Sequence, residues 1–291
     1  MASMRDIKRR RQSVESTQQI TKAMKLVSTV KLQRAKQRAE QSQFYFKCIY
    51  ETVNSILSKS GTINHHYLKE NGSDKKAVIM ITGNRGLAGG YNSSIVKLVA
   101  FNEAFTKDNT KIYAIGKKGR DTMDRLGYEI AKDYCDVIEE PTYDDARKIC
   151  NDLLAAFESG EIGEIYLAYT FFKNTVVHEP TLLKVLPVNL DETSPSLEIT
   201  EKQDVYAPMN FEPEDEEALN MIIPKYVTSL VFGALVESVA SENGARMQAM
   251  DSATNNASDM IDRLSLLYNR ARQSSITQEL TEIIAGADAI S

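Results

Sequence analysis

The first fifty-eight residues contain no glycine and no proline, and Lys225–Ala285 contains no proline and only two glycines, Gly233 and Gly244. Turns draw on residues that tolerate positive φ or preset a bend, so neither end of the chain has an easy place to reverse. Both ends read as long helices with something else between them. Cysteine is scarce: Cys48, Cys135 and Cys150 are odd in number, fit no metal knuckle and favour reduced, mostly buried thiols. Histidine is scarcer in ligand patterns, since His65 and His66 lie in a polar stretch away from any Cys or acidic cluster. No uninterrupted apolar run approaches the roughly 20 residues that span a bilayer. The basic segment Met1–Arg11 lacks the apolar core of a secretory signal. These absences argue against a disulfide scaffold, a metal centre and a membrane-spanning chain. They place the protein in the cytoplasm or on the cytoplasmic face of its membrane.

What is present is uneven. The 291 residues are 42% hydrophobic, enough for one large or two ordinary cores. Residues 1–40 carry eleven Lys or Arg against Asp6, Glu15 and Glu40, a net +8 in a chain of net −5. The opening helix is thus basic and the remainder acidic, which points to acidic partners. Its positions seven apart are Ile7, Val14, Thr21, Ser28, Ala35, Ser42 and Ile49, a line that permits close helix approach but buries little apolar surface. Near the other end, Phe232, Leu235 and Val239, then Met250, Ala253, Ala257, Met260, Leu264, Leu267 and Ala271, recur in steps of three and four. That period breaks at Asn243 and Arg246 and turns polar beyond Ala271. Ile276, Leu280, Ile283, Ile284, Ala287 and Ile290 then form an apolar tip fit for a socket.

Between the ends, strands and helices alternate. Ala77–Thr82 is a short apolar run of the kind buried in parallel sheets. Tyr91–Phe105 has helical spacing, Lys111–Ile115 reads as a second strand, and Arg120–Leu126 as a short helix closed by Gly127. Tyr143–Glu158 follows as a helix, Ile165–Phe172 as a third strand and Val176–Pro187 as an antiparallel addition. Pro224 is expected to begin or kink the long last helix, and Gly286 to stop it. The fold class is α/β: a long antiparallel coiled coil of the N- and C-terminal helices plus a central Rossmann-like α/β domain with a mainly parallel sheet. The domains are 1–60, 75–190 and 214–291, with 191–213 as a proline-bearing linker.

Three constellations invite a chemical reading. Gly83–Gly90 joins a strand to a helix, yet it matches neither G-x-G-x-x-G nor the P-loop with its lysine, so a tight structural turn is favoured over phosphate binding. Glu139, Glu140, Asp144 and Asp145 flank Pro141 and read as solvated surface rather than an acid/base pair. Arg9–Arg11, Lys22, Lys25, Lys31, Arg34, Lys36 and Arg38 lie all round the first helix, with no aromatic before Phe44 and no leucine seam behind them. That pattern disfavours nucleic acid.

Specific motifs resolve the choice. Ile20-Thr-Lys-Ala-Met24-Lys-Leu-Val27 resembles the N-terminal motif of the γ subunit of bacterial F-type ATP synthases. Ser241-Glu242, Arg246–Met250 and Ala253–Ala257 are similar to that family's last helix, as are Arg272-Gln273, Ile276-Thr277, Glu279, Glu282, Gly286-Ala287 and Ala289. Arg85-Gly86-Leu87 before Gly89-Gly90 also looks like the family's loop, although Gly83-Asn84 and Ala88 stand where the family usually has Ser-Asp and Cys. The resemblance covers the whole length. It implies a non-catalytic rotor without cofactor or metal, present once per complex rather than as a homo-oligomer. Its helices would turn inside a ring of three α and three β subunits, beside the ε subunit and the membrane c-ring, with no nucleic acid. It would couple ion flow to ATP synthesis and hydrolysis in the β subunits and contribute to regulation of ATPase activity and proton flow. By position, Met24 and Lys25 would lie near the acidic β lever with Glu242 and Arg246 close to Met24, and Arg272, Gln273, Thr277, Glu279 and Glu282 would contact the β loops near the bearing, all nine as partner contacts.

Overall fold

The structure, a computed structural model, describes residues 4–59, 65–188 and 215–288; the expected linker 191–213 lies outside them. Its helices are α1 (Met4–Lys59), α2 (Tyr91–Ala100), α3 (Lys117–Leu126), α4 (Tyr143–Glu158) and α5 (Asp215–Asp288). Its strands are β1 (Lys76–Ile81), β2 (Thr110–Ile115), β3 (Glu129–Asp133), β4 (Glu164–Phe172) and β5 (His178–Leu186). Two compact units emerge, residues 29–246 and residues 1–28 with 247–291, and the division falls inside both α1 and α5.

In the 29–246 unit the sheet order is β3-β2-β1-β4-β5, with the first four strands parallel and β5 antiparallel to β4. β1 is continuously apolar because both its faces are covered. Val78 and Met80 meet Ile95, Val99 and Met123 from α2 and α3. Ala77, Ile79 and Ile81 meet the opposite core, where α4 supplies Ile149, Leu153 and Phe157 and α5 supplies Ile223, Val227, Val231 and Leu235. α4 starts with a capping box, Thr142 Oγ1 accepting from Asp145 N at 3.2 Å and Asp145 Oδ2 accepting from Thr142 N at 3.1 Å.

Across the β1–β4–β5 side, Glu164 sits between Lys76 at 3.0 Å and Lys184 at 2.6 Å. Burial alone would raise its carboxyl, but the two lysines outweigh burial and hold it below the ordinary 4.5. A carboxyl lowered by folding stabilises the protein above its unfolded value, and that contribution disappears as pH falls through the folded value. Denaturant titrations should therefore show stability declining below pH 4.5, with a shallower decline in Glu164→Gln. Equal slopes would show that the pair of lysines contributes nothing.

The unit formed by 1–28 and 247–291 is an antiparallel helix pair. Lys25 meets Asp251 at 2.6 Å, Thr21 shares a 2.8 Å hydroxyl–hydroxyl bond with Thr254, and the Arg11 guanidinium stands 5.9 Å from the Tyr268 ring centroid. On α1 the inward positions are 4, 7, 11, 14, 18, 21, 25 and 28, a regular heptad seam. On α5 they are 250, 254, 257, 261, 264, 268 and 271.

Several expectations need correction. The α5 seam holds at Met250, Ala257, Leu264 and Ala271, but Met260 and Leu267 are 43% and 50% exposed. Ile261 and Tyr268 take their places, Tyr268 beside the Arg11 guanidinium, while Thr254 joins the half-buried Ala253 through its hydroxyl bond to Thr21. β3 was not expected, which makes Ile165–Phe172 part of the fourth strand; it is a charged edge, not an apolar run. α2 ends at Ala100 rather than Phe105, and α3 starts at Lys117. α5 already runs from Asp215, so Pro224 does not begin it, and it continues past Gly286 to Asp288. Pro224 has no N–H to give the Asn220 carbonyl, so one rung of the helical ladder is missing there, at a residue that is itself exposed. One window of Glu217–Ala287 is long and apolar enough to cross a bilayer, but 61% of it is buried inside the protein as the core-facing stretch of α5.

Candidate functional site

In a doubly wound sheet, ligands enter the crevice at the carboxyl ends of the strands where the winding reverses. Here that point lies between β1 and β4, the neighbours on either side of the reversal. α5 occupies it. Ser241 Oγ donates to the Thr170 carbonyl at 3.2 Å, and Thr170 N donates to Ser238 Oγ at 3.4 Å. The Glu242 carboxylate packs directly on Gly83, the residue that follows Thr82 out of β1. Tyr91, at the first turn of α2, is buried there; burial and then the Glu242 charge push its hydroxyl well above the ordinary phenol range. The protein's own side chains thus fill the place where a nucleotide would sit.

The titratable groups nearby are also committed to structure. Glu139 faces Arg85 at 3.7 Å, Asp144 pairs with Lys148 at 3.2 Å, and Asp145 caps α4. Burial, followed by Asp133, pushes the Cys135 thiol up to about 12, and burial does the same to Cys150. Neither is a thiolate nucleophile at neutral pH. His65 is buried, its Nδ1 accepting from Tyr67 N at 3.3 Å and its Nε2 3.0 Å from Asn220 Oδ1.

One cleft of about 260 Å³ opens in the 29–246 unit. Lys31, Arg34 and Arg38 of α1 line one wall, and Arg85, Glu139 and Arg246 line the others. Glu242 and Arg246, expected as partner contacts, pair with each other one helical turn apart and are only 12% exposed. Arg246 also reaches the Gly86 carbonyl, so both residues are turned inward on the β1–α2 loop. Nothing in the sequence signals this contact, because some 160 residues separate its two sides.

The remaining expected residues fall in the helix-pair unit. Met24 and Lys25 are half-buried, and Lys25 pairs with Asp251 at 2.6 Å. Arg272, Gln273, Thr277, Glu279 and Glu282 are all exposed on α5. Their bonds are local: Thr277 Oγ1 donates to the Gln273 carbonyl at 2.9 Å, and Glu282 accepts from Gln278 at 3.0 Å. Beside them Ile276, Leu280, Ile283 and Ile284 are 45%, 55%, 68% and 60% exposed. Such an arrangement performs no covalent chemistry; it offers a helix surface to other molecules.

Known proteins match this chain over its full length. A family model described as ATP synthase matches residues 3–290. An ATP synthase gamma chain from Lachnoclostridium phytofermentans is 62% identical, covering all of both chains. A gamma chain from Acetobacterium woodii, described as sodium ion specific, is 41% identical over 99% of each. A chain in the mitochondrial ATP synthase of Euglena gracilis, OSCP/F1/c-ring in rotational state 3, superposes with a TM-score of 0.65 at 19% identity, covering 99% of this chain and 94% of that one. At that identity the superposition speaks to the fold.

Proposed function

The chain belongs to the ATP synthase gamma-chain family, and from that premise we propose which of its residues grip the rest of the machine. A gamma chain is the non-catalytic central-stalk rotor of the F-type ATP synthase, a membrane-associated complex whose catalytic sites lie on the β subunits. One copy turns within the α3β3 ring and contacts the c-ring, and rotation biases each β site between conformations according to angle. The ε subunit is a further partner in this reading. So are attachment at the cytoplasmic face of the cell membrane, a contribution to regulating ATPase activity and proton flow, and a functional division into terminal helices 1–60 and 214–291 around the domain 75–190.

Met24 and Lys25 face the acidic β lever, while Arg272, Gln273, Thr277, Glu279 and Glu282 contact β loops near the bearing. Glu242 and Arg246 reach the lever only with the small surface they leave exposed. The observation that carries the reading is the outer surface of the helix-pair unit. Its seam is satisfied internally, yet Ile20, Leu26, Val27, Leu266 and Leu267 point to solvent. Exposed apolar side chains on both helices call for a surrounding protein.

Co-expression with α and β subunits followed by size exclusion tests the assembly; a chain that stays out of the hexamer would sink it. Each contact is worth about 1 kcal/mol, so Gln273→Ala or Thr277→Ala should lower ATPase activity of the assembled complex about two- to fivefold. Normal activity in both variants would remove the assignment.

A further inference from the structure

The Gly83–Gly90 loop has no role in the reading above, yet it is wired to more of the fold than an idle turn requires. On the α5 side, a Cβ added at Gly83 would lie 2.6 Å from Glu242 Oε1 and 2.7 Å from its Cδ, so the carboxylate rests on bare backbone. Glu242 pairs with Arg246, and Arg246 donates from Nε and Nη2 to the Gly86 carbonyl, 3.4 Å each. On the other side, Asn92 Oδ1 accepts from Gly83 N at 2.8 Å. Asn84 accepts from Lys117 N at 2.9 Å and donates to the Cys135 carbonyl at 2.9 Å. One loop therefore holds α2, α3 and the segment after β3 together and clasps α5. It does so with Leu87 at φ 62°, a left-handed conformation that a side chain adopts only under constraint.

Elsewhere α5 lies on the sheet through Val227, Val231, Ala234 and Leu235. Apolar packing is non-directional and resists rolling weakly. Hydrogen bonds and an ion pair fix an angle. The directional contacts of α5 with β4 and with the β1–α2 loop fall in one short stretch, Ser238, Ser241, Glu242 and Arg246, apart from the Asn220 bond to His65 nearer the start of α5, and Arg246 is the last residue of its compact unit. A buried ion pair adds little net stability, so its use here fits specification of an orientation.

We propose that the Gly83–Gly90 loop is the torque joint of this chain, fixing α5 against rotation relative to the sheet, with Gly83, Glu242 and Arg246 as its positioning residues. The proposal rests on the rotor function. The whole complex in sealed vesicles provides the test, with ATP hydrolysis and ATP-driven ion uptake measured together. In Gly83→Ala the new Cβ displaces the Glu242 carboxylate. Hydrolysis should stay within about twofold while ions moved per ATP fall about three- to tenfold. Glu242→Ala should also lower that ratio, and the double variant should be no worse than Glu242→Ala, because the added methyl then meets no carboxylate. An unchanged ratio in Gly83→Ala, or losses that multiply in the double variant, overturns the joint. If Gly83→Ala does not assemble, Arg246→Lys serves, since it keeps the charge but loses the fork on Gly86; there too the ratio should fall, and an unchanged ratio overturns the proposal. Absence of the unaltered chain from the purified complex would instead refute the rotor function itself.

Discussion

Gly116→Ala should destabilise the 29–246 unit by about 4 kcal/mol or more, a large share of the stability a domain of this size possesses. Gly116 ends β2 at φ 99°, ψ 129°, a region closed to side chains. A Cβ there would stand 1.9 Å from the Thr82 carbonyl oxygen and 2.8 Å from Thr82 Oγ1. Neither obstacle gives way easily. Thr82 N donates to the Ile115 carbonyl at 2.7 Å, and its hydroxyl accepts from Gly119 N at 3.0 Å, so moving Thr82 loosens β1, β2 and the start of α3 together. Urea titration of the free chain checks this. Gly86→Ala is the matched control, because its added Cβ meets nothing within 4 Å. A loss below about 1 kcal/mol at Gly116 would show that the turn relaxes cheaply.

The second large effect is on function with the fold left intact. Replacing Ile276, Leu280, Ile283 and Ile284 together by Gln should leave the thermal stability of the free chain nearly unchanged. These side chains are already 45–68% exposed, and Gln forms helix at least as well as Ile. If they are buried in a socket of the α3β3 ring, each contributes on the order of 1 kcal/mol there. Their joint loss should lower ATP hydrolysis of the reconstituted complex at least tenfold, through slipping or failed assembly. Unaltered hydrolysis with an unaltered melting temperature would show that the tip turns without bearing on anything.

What the sequence made legible follows how locally each feature is encoded. β1, β2 and β4 are apolar runs buried on both faces, and they read directly. β3 did not, because Glu129, Lys132 and Asp133 mark an edge that keeps its charges in water. The line through Thr21 and Ser28 is visible as a period of seven, but choosing Ile261 and Tyr268 over Met260 and Leu267 needs knowledge of what faces them across the pair, such as Arg11 beside Tyr268. The exposed residues from Arg272 to Glu282 were legible only as a motif, since no internal contact constrains them. Glu242 and Arg246 were legible as residues of interest, while their attachment to Gly83 and Gly86 depends on tertiary closure over a long stretch of chain.

The antiparallel seam has a consequence for biosynthesis. Lys25 and Thr21 leave the ribosome among the first residues, and Asp251 and Thr254 among the last. At 5–20 residues per second, the partner of the opening helix arrives roughly ten to forty-five seconds later. A leucine-rich seam would spend that interval seeking any apolar surface within reach. Hydroxyls, a lysine and an arginine are well hydrated while they wait, so this stretch of the seam is less adhesive than a leucine line would be until the last helix emerges to cover it.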